Sequence, residues 1–263
     1  MSKVWHHPAN RHNKVQAICR AISWQIRLRI SRKPVIYRWV EPVKLALKRG
    51  YHSLTAQVYF QYSEYSEMHF LLDHLKEDDL FVDVGANMGA YSLLVAGVTK
   101  ASVIALEPLP DNFIVLQEQL KLNDLENRVK VLPVAVGEAD DTLHIFSESS
   151  QNTYIVPSDD PRAKKALTVA VKRLDAILQD SPRAIKIDVE GHELFVLKGL
   201  GDYIKDTQLQ FIICEMVHPE YFEPISDLLT SSGFAPYIYD VTKKRLKSVN
   251  IGEIDNVIWA RRR

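Results

Sequence analysis

From residue 80 onward, short apolar runs alternate with segments of helical length, and this alternation constrains the fold more than any other feature. The apolar runs have the length of buried strands and cover residues 80–84, 101–106, 129–136, 184–189 and 209–214. Helical segments follow most of them, at about 89–98, 111–122, from His192 and at 219–232. Strands joined through helices run parallel and are covered on both faces, so the pattern predicts an α/β fold.

Residues 137–180 interrupt this rhythm. Residues 142–146 and 168–171 resemble additional strands. The polar stretch between them contains Pro157 and Pro161, and we expect it to form a loop on the active-site side of the sheet.

Residues 1–79 are predicted to form a basic, mainly helical extension in front of a catalytic domain at 80–263. The first 50 residues contain twelve Lys or Arg and one acid, although the whole chain has a formal net charge of zero. Two interpretations stay open: this segment docks on the acidic remainder, or it meets an anionic partner, such as a membrane at residues 14–49.

Two helices are predicted within this extension, at residues 14–30 and 64–76. In the first, the apolar residues that recur at helical spacing are Val15, Ile18, Cys19, Ile22, Ile26 and Ile30. We expect this apolar face to pack on the adjoining domain, with a membrane surface as the alternative.

The compartment is predicted to be the cytoplasm. No apolar run reaches the ~20 residues that span a bilayer, and no apolar stretch typical of a secretory signal follows the first residues. The two cysteines, Cys19 and Cys214, lie far apart and suggest neither a disulfide framework nor a metal site.

A glycine-containing loop with the sequence DVGANMG ends the first strand. Ligands of open parallel sheets bind at the carboxyl ends of strands, and Gly85 and Gly89 permit positive φ angles or a close approach of a ligand. Asp83 could hold a cationic amino group. Asn87 stands where the second glycine of a G-x-G-x-x-G pattern would be, which disfavours a pyrophosphate cradle.

Glu107 ends the second strand, about 20 residues after this loop. At that spacing an acid pairs with ribose hydroxyls in nucleotide-type sites, because one carboxylate can accept from both hydroxyls. The predicted cofactor-binding residues are therefore Asp83, Gly85, Asn87, Gly89 and Glu107. The plainer interpretation is an ordinary strand-to-helix turn followed by a solvated strand end.

Charged residues cluster at the end of the run 184–189. Lys186, Asp188 and Glu190 alternate, so they would share one face of a strand. His192 opens the next helix and could act as general base toward a hydroxyl. Glu215 ends the following strand, on the same rim of the sheet. We predict Asp188, His192 and Glu215 as catalytic residues, the alternative being a structural charge network.

These carboxylates and the imidazole could also hold a divalent metal ion, but nothing in their spacing requires one, and we predict none.

The last two strands, at 236–241 and 255–260, are too close in sequence for a crossover helix, so we expect an antiparallel hairpin. A mostly parallel sheet of seven strands that ends in such a hairpin is the Rossmann-like arrangement of class I methyltransferases. A dinucleotide-binding dehydrogenase would continue to alternate helices with parallel strands.

The residues 81–92, 105–108 and 185–193 together resemble the FkbM family of methyltransferases, as do the upstream segments 62–68 and 79–81. The resemblance covers roughly residues 55–215. It implies a class I fold, S-adenosylmethionine as methyl donor, and methylation of a hydroxyl group on a sugar, glycan, glycolipid or natural product. The roles of Asp188, His192 and Glu215 come from the residue chemistry and not from the resemblance.

Two other classes of protein serve as alternatives. A nicotinamide-dependent oxidoreductase is disfavoured by the glycine pattern and the terminal hairpin. A membrane-associated binding module would act through the basic extension, alone or beside catalysis. A nucleic-acid partner is not expected, since the basic residues lie off the catalytic core and no Asn-Pro-Pro-Tyr-like motif follows the fourth strand.

Overall fold

The alternation of strands and helices folds around a central sheet in a computed structural model that describes residues 2–149, 152–157, 159–216, 218–250 and 256–262. The helices are α1 Ser2–His6, α2 Lys14–Ile30, α3 His52–Phe60, α4 Tyr65–His74, α5 Ala90–Leu94, α6 Pro110–Leu122, α7 Leu174–Ile177, α8 Glu193–Lys198 and α9 Pro219–Ser231. The strands are β1 Val35–Val40, β2 Val43–Leu47, β3 Leu80–Val84, β4 Ser102–Leu106, β5 Val129–Leu132, β6 Ala135–Val136, β7 Asp141–Ser149, β8 Asn152–Val156, β9 Leu167–Lys172, β10 Ala184–Ile187, β11 Phe211–Glu215, β12 Phe234–Asp240, β13 Arg245–Ser248 and β14 Asn256–Arg261.

The main sheet has the strand order β13-β12-β14-β11-β10-β3-β4-β5. The five strands from β11 to β5 pair in parallel, which explains their continuous apolar composition, since such strands are covered on both faces. The chain runs from β3 outward to β5 and then returns to β10 on the other side of β3. This reversal is a topological switch point, where ligands of such sheets bind at the carboxyl ends of the strands.

The predicted terminal hairpin is present, but the described sheet has eight strands and not the predicted seven. β14 pairs antiparallel with both β11 and β12, and the extra strand β13 pairs with the outer edge of β12. β13 carries Arg245 and Lys247 and is largely exposed. Charged edge strands lack the apolar pattern that makes a strand recognisable in a sequence.

Residues before β3 are less helical than predicted. The helix at 14–30 is present with the predicted bounds, and α4 lies within 64–76. However, β1 and β2 form an antiparallel hairpin that the sequence analysis did not identify. No helix within the described ranges is long and apolar enough to cross a membrane.

The prediction that the isoleucine-rich face of α2 packs on the adjoining domain is wrong. The buried face of the helix consists of Ala17, Ala21, Trp24 and Leu28, whereas Val15, Ile22, Ile26 and Ile30 are exposed. The two small alanines suit close packing against α3, and Trp24 makes an edge-on ring contact with Tyr37 of β1. The buried face of α2 is therefore the one that carries Trp24. The helical spacing of the isoleucines does not predict it.

The hydrophobic core lies on both faces of the main sheet, since neighbouring residues of β3 such as Phe81 and Val82 belong to different clusters. The cluster around Phe81 also contains Trp24, Leu45 and Leu54, so residues before β3 pack on the same core as the sheet. The division of the chain at residue 79 remains a prediction.

A second sheet, of order β6-β9-β7-β8 in the described ranges, is formed by the interrupting segment together with β6, which precedes it. The two predicted additional strands are present as β7 and β9. The predicted third strand, 129–136, is divided: β5 joins the main sheet and β6 joins the second sheet. β8 lies within the stretch that was expected to form only a loop.

Candidate active site

A cavity of about 380 Å³ lies at the carboxyl ends of β3, β4 and β10, at the switch point of the sheet. We call it the site cavity. It is lined by helix α3, the loops after β3 and β4, the start of α6, the residues that follow β5 and β10, and the second sheet. Ligand pockets typically have volumes of ~300–1,000 Å³, so the site cavity can hold a small organic molecule.

Both predicted loop glycines adopt positive φ angles, +79° at Gly85 and +90° at Gly89. A Cβ atom on Gly85 would lie 1.9 Å from the backbone oxygen of Asp188, and one on Gly89 would lie 2.1 Å from a side-chain carbon of Leu116. The loop therefore needs glycine at both positions. At Gly85 the end of β10 leaves no room for a side chain, and at Gly89 helix α6 leaves none. Asn87 also has a positive φ, of 52°.

Glu107 lies where the sequence predicts it, in the wall of the site cavity and almost completely buried. Its carboxylate accepts hydrogen bonds from the backbone N–H groups of Asn87 (2.8 Å) and Leu109 (2.9 Å) and from Asn112 Nδ2 (3.4 Å). Burial raises the pKa of Glu107 to about 7, and these three donors oppose the shift. Oε1 accepts from both Leu109 and Asn112 and Oε2 only from Asn87, so a ligand hydroxyl can still donate to Oε2.

Asp83 does not line the site cavity. Its carboxylate is buried and accepts a hydrogen bond from Ser92 Oγ on α5 (2.7 Å), and in the sheet Asp83 stands opposite Lys186. Burial raises the pKa of Asp83 to about 6, although the positive charge of Lys186 lowers it. The geometry therefore connects Asp83 to the charged network described next, and its contact with a cofactor stays a prediction.

Lys186 is the centre of a buried charge network. Its Nζ atom donates to Asp188 Oδ2 at 2.6 Å, lies 3.8 Å from a carboxylate oxygen of Glu64, and sits 4.6 Å above the ring of Tyr91. Burial alone would lower the pKa of Lys186, but the negative charges of Asp188, Glu64 and Asp83 raise it above its usual value. The same pairing lowers the pKa of Asp188 despite burial, so Asp188 is held as a carboxylate beside the cavity.

Asp188 and Glu215, from adjacent strand ends, form a carboxyl–carboxylate pair. Burial and the negative charge of Asp188 raise the pKa of Glu215 to about 9. Within the described residues no donor reaches the buried Oε2 atom of Glu215, which fits a protonated Glu215. Glu215 is not among the described residues that line the site cavity, so its catalytic role stays a prediction.

His192 lines the site cavity at the start of α8. Its ring stacks on Phe195 with centroids 4.5 Å apart, and no described residue hydrogen bonds to its nitrogens. Burial lowers the pKa of His192, so the imidazole is neutral near pH 7 and can accept a proton. Glu190 also lines the cavity, but its own φ is +55° and it lies beyond the end of β10, whereas the alternation predicted it as part of that strand.

Sequence reasoning missed several residues of the site cavity. Helix α3 contributes His52 and Ser53, and Ser53 Oγ donates to Asn87 Oδ1 at 3.0 Å. The second sheet contributes an apolar wall made of Leu143, Ile145 and Ile155. Neither set carries a local motif, because each enters the site only through contacts between distant parts of the chain.

The described residues contain no group of three or more His, Cys, Asp or Glu arranged to hold a metal ion. Asp188 and Glu193 are each engaged elsewhere: Asp188 with Lys186, and Glu193 with the backbone N–H groups of Val189 and Gly191. The two side chains are therefore held by the protein itself.

The mostly parallel sheet with its antiparallel end and the cavity at its switch point define a methyltransferase-like, Rossmann-like α/β protein. The methyltransferase FkbM of Methylobacillus flagellatus KT shares this fold, with a TM-score of 0.52 and 20% identity over 96% of this chain and 60% of that chain. The chain belongs to the FkbM methyltransferase family, whose domain model matches residues 83–256. This supports the predicted methyltransferase over the nicotinamide-dependent alternative.

Two relatives extend the comparison. The hexuronic acid methyltransferase AglP of Haloferax volcanii is 30% identical over 161 residues, which cover 58% of this chain and 62% of that protein. The methyltransferase sdnD of Sordaria araneosa is 30% identical over 207 residues, which cover 65% of this chain and 78% of that protein. The match to AglP thus spans less than two thirds of the length of that relative.

Proposed function

We propose that this methyltransferase transfers a methyl group from S-adenosylmethionine to a hydroxyl group of a sugar or a sugar-containing molecule. One observation carries the proposal: the glycine loop with Glu107 and the residues Asp188 and His192 line the same cavity. A group that can bind a ribose and groups that can orient and deprotonate a hydroxyl therefore line one cavity. The relationship to a hexuronic acid methyltransferase favours a sugar among the hydroxyl-bearing substrates.

The residues around Glu107 fit the donor. The Glu107 carboxylate and the nearby Asn112 amide suit the hydroxyls of a ribose. The adjoining wall suits a flat heterocyclic base, since it includes Leu106, Pro108 and Leu109. Hydroxyl donors favour the ionised form of a carboxylate, so ribose binding would lower the pKa of Glu107 from about 7. When bound, the donor supplies a methyl group on a sulfonium, which already carries a good leaving group.

Asp83 has a different role in this proposal from the one predicted. Because its carboxylate is bonded to Ser92 of α5 and faces Lys186, we assign it to positioning. It holds the start of α5, and with it the glycine loop, against β10. A direct bond to the amino group of the donor is not part of the proposal.

The acceptor side requires a site for a hydroxyl and a base for its proton. Asp188 remains ionised beside Lys186 and can accept a hydrogen bond that orients the acceptor hydroxyl. His192, neutral because it is half-buried, would take the hydroxyl proton as the methyl carbon leaves the donor sulfur and bonds to the hydroxyl oxygen. It would then release that proton to solvent. Glu215, protonated near pH 7, would donate to Asp188 and hold it in place. Orientation in a dry cleft supplies much of the rate acceleration in such reactions.

The test is methyl transfer from labelled S-adenosylmethionine to glycans that carry a hexuronic acid, compared with neutral hexose glycans. We expect transfer to the hydroxyl groups of the uronic acid. His192→Ala should lower kcat by ~100-fold, the usual contribution of a general base, with little change in donor affinity. His144→Ala is the matched control, since that histidine lies on β7, bonds to Thr168 and does not line the cavity. Full turnover of His192→Ala would place the base elsewhere.

A further inference from the structure

Helix α2 exposes an apolar stripe on the side that faces away from the core. Val15, Ile22, Ile26 and Ile30 are 68%, 46%, 51% and 77% exposed, and Cys19 on the same line is exposed as well. Residues spaced by four and seven lie on one face of a helix, so these side chains form one continuous stripe. Isolated exposed aliphatic residues are ordinary, but a continuous row on one helix marks an interaction surface.

Exposed cations lie on α2 and in the segment that follows it. Arg29 lies beside the stripe on the helix, and Arg27, Arg32, Lys33 and Arg38 are also exposed. No Lys or Arg before residue 51 takes part in an ion pair with any described acid, although ion pairs occur elsewhere in the chain. The interpretation that this segment neutralises itself against the acidic remainder is therefore not supported, and its charge stays available to an external anionic partner.

Arg20 is the cation that α2 uses internally. Its guanidinium donates to the backbone oxygens of Val58 (2.6 Å) and Tyr59 (3.2 Å) and to Asn10 Oδ1 (3.1 Å). These bonds fasten α2 to the end of α3, so the buried face of α2 is fixed and the stripe is fixed facing outward. The surface is rigidly presented without any ligand.

We propose that α2 binds an anionic lipid membrane, with the stripe inserted among the acyl chains at the interface and these exposed cations on the headgroups. A basic helix with an apolar face lies in the plane of a membrane in this way, and its affinity combines buried apolar area with electrostatic attraction. A nucleic acid would satisfy the cations but leave the stripe exposed. A second copy would cover the stripe but bring two strongly basic segments together.

The test measures binding of the full chain to vesicles of phosphatidylcholine alone and of phosphatidylcholine with 30% phosphatidylglycerol, by co-sedimentation at low and at high salt. Ile22→Gln/Ile26→Gln removes the middle of the stripe, and Arg29→Gln/Arg32→Gln/Lys33→Gln removes nearby charge. Ile114→Gln is the matched control, because Ile114 is an exposed isoleucine (53%) on α6, outside the basic segment. Thermal unfolding confirms that each variant is folded. The assay needs neither donor nor acceptor, so its outcome is independent of the proposed reaction.

We expect the wild-type chain to bind the anionic vesicles and not the neutral ones, and high salt to weaken binding. The stripe variant and the charge variant should each lose at least ~10-fold in apparent affinity, with Ile114→Gln unchanged. The proposal is overturned if the wild type binds both kinds of vesicle equally or neither. It is also overturned if the stripe variant binds normally, or if light scattering shows a dimer that this variant dissociates.

Discussion

Gly85 is the residue at which the glycine loop and the segment after β10 meet. The position leaves no room for a side chain because the backbone oxygen of Asp188 lies where a Cβ atom would be. The backbone N–H groups of Gly85 and Ala86 both donate to Leu106 O, at 2.9 and 3.0 Å, and so connect the loop to β4 as well. One residue thus sets the relative positions of β3, β4 and the segment after β10.

Replacing Gly85 should therefore cost more than the positive φ angle alone. Gly85→Ala adds a collision with backbone atoms, and we expect it to lower the free energy of unfolding by about 1–3 kcal/mol more than Gly50→Ala does. Gly50 is the matched control: its φ is +97°, and nothing lies within 4 Å of an added Cβ. Urea denaturation of both variants measures the difference. Equal destabilisation would show that β10 moves aside without cost.

At the scale of elements, α4 and β10 are joined by buried charges. Glu64, which directly precedes α4, accepts a hydrogen bond from Tyr91 Oη at 2.7 Å and lies near Lys186. Glu67, inside α4, is buried in the same region, and burial raises its pKa to about 7. The apolar residues of α4 predict only that the helix packs on the core. In the structure α4 also places acids next to Lys186 in the central strand β10.

This arrangement predicts a pH-dependent stability. The pKa of Glu67 is near 4.5 in the unfolded chain and about 7 in the folded protein, so between these values the folded state binds more protons. The free energy of unfolding should fall as the pH rises through this window, by up to about 3 kcal/mol from Glu67. Asp83, Glu107 and Glu215 act in the same direction, because burial raises their pKa values too.

Glu67→Gln should reduce the fall of the free energy of unfolding with pH, because glutamine does not titrate. The control Glu118→Gln, at an exposed position on α6, should leave this fall unchanged. Urea denaturation at intervals between pH 4.5 and 8 measures the slopes. If the slope of Glu67→Gln equals that of the wild type, Glu67 is ionised in the folded protein and the network is differently charged.

At the scale of the whole molecule, the sequence predicted those elements whose structure depends only on their own contiguous residues. The buried strands β3, β4, β10 and β11, the glycine loop and Glu107 were found because their apolar runs and spacing are contiguous in sequence. The parts that depend on distant contacts were not found. These parts are the exposed face of α2 and the entry of Ser53 into the cavity. Each results from packing between segments that the sequence separates widely.

The shared core predicts that residues before β3 stabilise the whole chain. Trp24 of α2 is buried in the same cluster as Phe81, so Trp24→Ala should lower the free energy of unfolding by about 3–5 kcal/mol. Circular dichroism and tryptophan fluorescence should still report one coincident unfolding transition. Two separate transitions would indicate that the first 79 residues unfold as an independent unit.

Calorimetric titration with S-adenosylhomocysteine tests whether the cavity beside Glu107 binds the methyl donor. We expect the wild type to bind it and not to bind NADH. Glu107→Ala should bind at least ~10-fold more weakly, because hydrogen bonds to a charged group are lost, while the control Glu118→Gln binds normally. Wild-type affinity of Glu107→Ala for S-adenosylhomocysteine would show that Glu107 does not hold the ribose.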